Sequence, residues 1–316
     1  MTGQVRRSRL AVAVLLVALA VLAWLPAQAQ DAVLRLRLLS TTDIHTYVVD
    51  YDYYRDQRDA SLGLSRTAAL IQQARAEVKN SLLFDSGDAI QGNPLGDYVA
   101  VEKPLQPGQV HPVYRAMNQL GYAAASLGNH EFNYGLPFLR TALAGASFPV
   151  VTSNVFVAGP DRAAAPPLIK PFVLIDREFV DEAGATQRLR VGVIGFVPPQ
   201  IMQWDRANLE GQVFAIDIIE AARRYVPTMR AMGANLVVAL VHSGLSAVAA
   251  RGMDENAAAS LAQVSGIDAI LGGTRIWCFP TRVSPICPAL TSRAGRSTGC
   301  RRSWPGSGAA TWVSST

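Results

Sequence analysis

No cysteine precedes Cys278 in this chain of 316 residues, and the three that exist, Cys278, Cys287 and Cys300, crowd near its end. A disulfide framework is therefore excluded for everything before them. Histidine is scarce, with His45, His111, His130 and His242 the only four. Beyond residue 273 there is no lysine, aspartate, glutamate or histidine at all, only six arginines among Ser, Gly and Pro. No internal repeat or low-complexity linker interrupts residues 33–273, which argues against solenoids and strings of modules. The longest apolar run, residues 10–25, is about 16 residues against the roughly 20 that a membrane-spanning helix needs.

That run belongs to a leader. Arg6, Arg7 and Arg9 precede it and Ala27-Gln28-Ala29 follows it, the charged, apolar and small-residue order of a cleaved secretory signal peptide over residues 1–29. No cysteine follows for lipidation, so a soluble periplasmic protein is expected, without stable membrane association after cleavage. The formal charge of +5 and the pI near 9.3 suggest a polyanion partner until the chain is divided. Setting aside the three leader arginines and the six after residue 273 leaves 20 of 29 basic residues against 24 acidic ones, a body of net −4. Nucleic acid is thus not an expected partner.

Between leader and tail, runs that read as strands (34–39, 81–84, 123–126, 150–152, 189–196, 236–241, 269–271) alternate with helical patterns (64–78, 113–120, 136–144, 216–232, 256–264). Such alternation predicts an α/β protein with sheets covered by helices. About 240 residues suffice for one full core. The Ala- and Pro-rich stretch 158–167 reads as a surface excursion.

Metal-binding donors recur where these strands should end. Asp43 and His45 stand in Thr41-Thr42-Asp43-Ile44-His45, Asp88 in Gly87-Asp88, Asn129 and His130 in Gly128-Asn129-His130-Glu131-Phe132, and His242 in Val241-His242-Ser243. Mixed oxygen and nitrogen donors suit borderline divalent ions. Two such ions sharing a carboxylate can clamp a phosphate and activate water for in-line displacement. Each histidine alone is more often structural, and His111 beside Pro112 reads as a capping or surface residue; the joint recurrence of donors reverses that weighting. Asp85 reads as structural, and the tyrosines at 47, 51, 53 and 54 as packing around the first metal loop rather than as a base-stacking platform.

Four segments together, residues 41–54, 86–98, 127–135 and 192–209, resemble the calcineurin-like metallophosphoesterases in their periplasmic nucleotidase branch. The resemblance implies a four-layer αββα sandwich and two divalent ions, of Zn, Mn, Co or Fe. It assigns Asp43 and His45 to one ion, Asn129 and His242 to the other, and Asp88 to both. His130 becomes the catalytic histidine, and Glu131 braces its neighbours. The implied activity is hydrolysis of 2′,3′-cyclic nucleotides and 3′-nucleotides by a monomer, for nucleotide salvage or phosphate scavenging. In 5′-nucleotidase relatives an Asp follows the phenylalanine of GNHEF; here Asn133 does, favouring the cyclic-nucleotide branch over the alternative of a 5′-nucleotidase or sugar-nucleotide hydrolase.

The family closes its site with a Gly-His-x-His segment after a strand, whereas Gly273 is followed by Thr274-Arg275-Ile276-Trp277-Cys278-Phe279-Pro280. Codons GGC CAC TCG CAT CTG GTG TTT CCC encode GHSHLVFP, and loss of one C at the first codon junction turns them into Gly-Thr-Arg-Ile-Trp-Cys-Phe-Pro. In the same frame, codons for Ser303 to Thr316 can be regrouped to read MAGFWGSHLGVID. The expectation is a catalytic domain over 33–273, an out-of-frame and disordered tail over 274–316, and no C-terminal nucleotide-binding domain. A non-catalytic remnant is the alternative of a different class. Resequencing the DNA around codon 273 should reveal one further C and an open frame with strand-like patterning downstream; a stop within a few codons of the restored base would refute the frameshift.

Overall fold

The computed structural model describes residues 33–246 and 248–272, together with the backbone of one further strand, Cys278–Pro280. The leader and the rest of the tail lie outside the described residues. In chain order the strands are β1 (Arg37–Thr41), a hairpin of β2 (Tyr51–Asp52) and β3 (Gln57–Arg58), β4 (Ser81–Asp85), β5 (Ala124–Ser126), β6 (Val150–Val151), β7 (Val155–Val157), β8 (Phe172–Val180), β9 (Thr186–Phe196), β10 (Val213–Ala215), β11 (Leu236–Val241), β12 (Ala269–Gly272) and β13 (Cys278–Pro280). One sheet, in the order β1-β4-β5-β6, is parallel throughout. The second has the order β13-β12-β11-β9-β8, with β12, β11 and β9 parallel and the outer strands antiparallel.

The layering follows from strand periodicity. In β4, Leu83 joins a cluster with Ile71 of helix Leu64–Ala76, Met117 of helix Pro112–Leu120 and Leu139 of helix Gly135–Leu143. Its neighbours Leu82 and Phe84 turn the other way and meet Val193 of β9 and Val238 and Leu240 of β11. On β11 the alternate residues Val237, Ala239 and Val241 face Ala222, Val226 and Met229 of helix Ile218–Ala231. Three apolar interfaces thus separate four layers, helix, sheet, sheet and helix, in the αββα order expected. Strands covered on both faces read as unbroken apolar runs, which is why LVVALV and SLLF are legible as strands.

The two sheets approach closely at one end. A Cβ on Gly195 would lie 2.4 Å from the Val151 carbonyl oxygen and 2.6 Å from Ser126 Oγ. Only glycine fits there. Ser86 Oγ donates to the Leu271 carbonyl at 3.1 Å across the same gap. At this end the parallel strands of both sheets present their C-termini, the edge where α/β folds gather ligand-binding loops.

Some expectations need correction. The tail was expected to form no packed element, but Cys278–Pro280 pairs antiparallel with β12. Backbone pairing at a sheet edge needs extended chain, not side-chain periodicity. Strand β8 was not foreseen; it is an edge strand carrying Asp176, Arg177 and Glu178, so its apolar run is broken. The helix expected over 256–264 shortens to Ala258–Leu261, and the chain then closes in tighter turns, Val264 N–H donating to Leu261 at 3.0 Å, before left-handed Gly266. The stretch 158–167 is largely exposed, as expected, with Ala165 tucked in.

Phe84 is fully buried between the sheets. Phe84→Ala should therefore cost roughly 3–5 kcal/mol in chemical denaturation. Leu70→Ala, at a position 44% exposed, should change stability by less than about 1 kcal/mol. Equal effects of the two substitutions would contradict this account of the core.

Candidate metal centre

The loop after β1 is zipped to the loop after β4 by three backbone hydrogen bonds: Asp43 N–H to the Gly87 carbonyl (3.0 Å), His45 to Asp88 (2.9 Å) and Thr46 to Ala89 (2.9 Å). Four residues of this zipper, Asp43 (φ 53°), His45 (φ 46°), Thr46 (φ 57°) and Asp88 (φ 61°), hold left-handed backbone that side-chain-bearing residues rarely adopt. Strain of this kind costs on the order of 1–3 kcal/mol per residue and persists where surroundings enforce it, typically at functional sites.

Glu131 is the enforcer. Buried to 1% exposure, its carboxylate accepts backbone N–H groups from Asp88 (2.8 Å) and Gly128 (2.5 Å) on one oxygen and from Ala89 (2.6 Å) and Ile90 (3.3 Å) on the other. Burial and the neighbouring Asp88 charge push its carboxyl above the ordinary range, and the N–H groups oppose that shift. Glycine makes room for the rest. A Cβ on Gly128 would strike Asp88 Oδ1 at 2.2 Å and His242 Nδ1 at 2.8 Å.

Asp88 sits at the centre, 2% exposed. Its Oδ1 accepts the His130 backbone N–H at 2.8 Å. Its Oδ2 lies 2.9 Å from His242 Nε2, 3.9 Å from His130 Nε2 and 4.0 Å from His45 Nε2. Burial opposes its charge, but the three imidazoles prevail and hold the carboxyl below its ordinary range. Two donor sets meet here, His45, Asp88 and His130 in one and Asp43, Asp88 and His242 in the other, with the donor atoms of each set within 4.8 Å of one another. Asp88 belongs to both. Asp43 Oδ1 is also 3.6 Å from His45 Nε2, so Asp43 reaches both neighbours.

The donor set passes a test of fit to divalent ions. His45 Nδ1–H donates to the Gln91 carbonyl (2.8 Å) and His242 Nδ1–H to the Ser86 carbonyl (3.0 Å). Each ring thereby turns Nε2 inward, the nitrogen that offers its lone pair once a metal displaces the proton, in the orientation that backbone carbonyls impose on metal-ligating histidines. His242 Nε2, fully buried, makes no well-directed hydrogen bond despite its closeness to Asp88. Burial works to lower both histidine pKa values, yet the carboxylates raise His45 to about 8 and His242 to about 9. These are rings collected around negative charge, as a cation site requires.

The remaining candidates sort cleanly. Asn129 heads the short turn His130–Phe132, half-buried beside Gly128. Asp85 accepts from Thr41 Oγ1 (2.6 Å) and the Gly87 N–H (2.9 Å); burial raises its pKa to about 8, and it braces β1 against β4. His111, wholly buried, caps helix Pro112–Leu120 by accepting the Val113 N–H at 3.3 Å, with its pKa lowered by burial to about 4. The capping role was foreseen; a surface position was not what the fold gives it. Tyr51 and Tyr53 meet edge to face, 5.2 Å apart, on the hairpin flanking the first loop.

His130 stands at the mouth, its side chain 36% exposed and edge-on to the His45 ring at 4.9 Å. Its Nδ1 is 2.6 Å from Asn133 Oδ1, and Asn133 Nδ2 donates to Asp205 Oδ1 at 2.8 Å. Asp205 and Asn208 were missed in the sequence, although both lie in the signature segment 192–209, which had been given no role.

Comparison with known proteins agrees with this geometry. A family profile for calcineurin-like phosphoesterases matches residues 36–273. The chain is 51% identical over 254 residues to the 2′,3′-cyclic-nucleotide 2′-phosphodiesterase/3′-nucleotidase of Yersinia enterocolitica, covering 80% of this chain and 38% of that protein. It is 47% identical to the trifunctional nucleotide phosphoesterase protein YfkN of Bacillus subtilis, covering 78% of this chain and 17% of that one. The crystal structure of calcineurin-like phosphoesterase YfkN from Bacillus subtilis superposes with a TM-score of 0.73 at 46% identity, covering 76% of this chain and 72% of that chain. The chain spans well under half the length of these curated relatives. With a profile match across most of its length and an Asp88-centred cluster at the strand ends, the chain belongs to the calcineurin-like phosphoesterases.

Proposed function

We propose that the chain carries the catalytic domain of a periplasmic, metal-dependent hydrolase of 2′,3′-cyclic nucleotides and 3′-nucleotides. The observation that carries this reading is the sharing of Asp88 between two donor sets, one of which His130 closes; we assign His130 to the phosphoryl group and leave the ions to the other donors. Relatives near 50% identity that are 2′,3′-cyclic-nucleotide 2′-phosphodiesterase/3′-nucleotidases supply the substrate class. Asp43 and His45 would hold one ion, Asn129 and His242 the other, and Asp88 both, with Zn, Mn, Co and Fe all compatible with these donors. Such ions supply positive charge to the phosphoryl oxygens and ease ionisation of an attacking water.

The chain's own side chains do the rest. In the cyclic substrate, water adds to phosphorus, the bond from phosphorus to the 2′ oxygen breaks, and the departing oxygen takes up a proton. His130 has the most exposed side chain of the three clustered histidines, 36% against 25% for His45 and 0% for His242, so it can touch a phosphoryl oxygen or protonate the leaving group. Glu131 holds the strained Asp88 backbone in place, so that the bridging carboxylate is preorganised. We also hold that a restored frame after Gly273 supplies the closing histidines of the site.

The test uses protein from the frame-restored gene. Asp88→Ala should lose both bound metal and hydrolysis of a 2′,3′-cyclic nucleotide. His130→Ala should keep its metal while turnover falls by about 100 to 10,000-fold, the contribution of a positioned acid or base. Full activity in Asp88→Ala, or metal loss confined to His130→Ala, would overturn the roles.

A further inference from the structure

The segment after β9 grips the turn that bears His130. Asn208 Nδ2 donates to the backbone carbonyls of Phe132 (3.2 Å) and Asn133 (2.8 Å), fixing the main chain of that turn. What remains free in Asn133 is the direction of its amide. A carboxamide has an accepting end and a donating end, and nothing in the asparagine itself chooses between them. Its Oδ1 must face His130 for the ring to be held as an Nδ1–H donor, because the NH₂ end would demand a lone pair there and turn the Nε2 proton outward instead.

Asp205 makes that choice. It precedes the helical turn Arg206–Leu209 at the N-cap position, where aspartate ordinarily accepts backbone N–H groups, yet its side chain makes no capping bond. It turns inward, 6% exposed, and Oδ1 accepts from Asn133 Nδ2. Its other oxygen, Oδ2, is buried and has no hydrogen-bond partner among the described residues. A buried carboxylate that forgoes its cap and leaves an oxygen unpartnered is expensive to keep for packing alone.

We propose that Asp205 is a positioning residue, which through the Asn133 amide fixes His130 as an Nδ1–H donor, so that Nε2 is the nitrogen that takes up a proton and passes it to the departing oxygen. A carboxylate two residues removed from the ring thereby does the orienting work that an adjacent aspartate does in a directly paired histidine. The inference rests on the catalytic reading of His130, but its test does not depend on which ester is cleaved.

The measurement is a long-range proton–nitrogen NMR spectrum of the histidine rings in the full chain, metal-stripped and at a pH where the His130 ring is neutral. In the native chain, His130 should show a protonated Nδ1 and a lone pair on Nε2, with a preference of about tenfold, equivalent to one net hydrogen bond. Asp205→Leu should bring the two forms near parity, with the signals of His45, His111 and His242 unmoved. The exchange variant Asn133→Asp with Asp205→Asn moves the carboxylate next to the ring and an amide donor behind it, and should restore the native pattern. If Asp205→Leu disturbs all four rings, the shape-conserving Asp205→Asn decides: averaged His130 nitrogens support the proposal. A native His130 pattern in Asp205→Leu, or in Asp205→Asn where that variant decides, overturns it, as does failure of the exchange variant to restore it.

Discussion

Everything at the metal centre hangs on one carboxylate that never touches it, that of Glu131. Four N–H groups from two loops converge on its two oxygens. The buried carboxyl groups of Asp88 and Glu131 oppose each other, and the arrangement persists because imidazoles surround Asp88 and backbone N–H dipoles surround Glu131. Removing that anchor would release Asp88 from its left-handed backbone at φ 61°. The carboxylate shared by the two donor sets would then lose its aim.

How far this was legible in the sequence depended on how local each cause was. Asp43, His45, Asp88, His130 and His242 could be named because each follows an apolar run that ends in small residues, and a parallel strand buried on both faces leaves just that trace. For Glu131 the resemblance implied bracing of its neighbours, but the four backbone N–H groups that it accepts carry no sequence signature. Asp205 stayed invisible for a similar reason. Its partner lies 72 positions earlier, and an aspartate preceding a short helical turn reads as a cap.

The fold shows the same division. SLLF and LVVALV announce strands buried on both faces, whereas the four-layer αββα order was implied only by the family resemblance; the opposite-facing contacts along β4 and β11 account for it. Edge strand β8 escaped because its exposed positions admit Asp176, Arg177 and Glu178, and pairing with β9, not apolar character, makes it a strand. The strand at Cys278–Pro280 is the extreme case, in which an available edge on β12 suffices whatever the side chains.

His242 comes from the second sheet, and its ring is tied to Ser86 of the first, 156 residues away in the chain. The centre consequently does not exist in either half alone. Closing so long a loop is slow relative to local helix and strand formation, so the donors assemble only as the sheets dock, late in folding. A divalent ion would then bind the finished protein and not its precursors, stabilising the docked state by mass action. Metal supply would govern how much of the newly made chain escapes proteolysis.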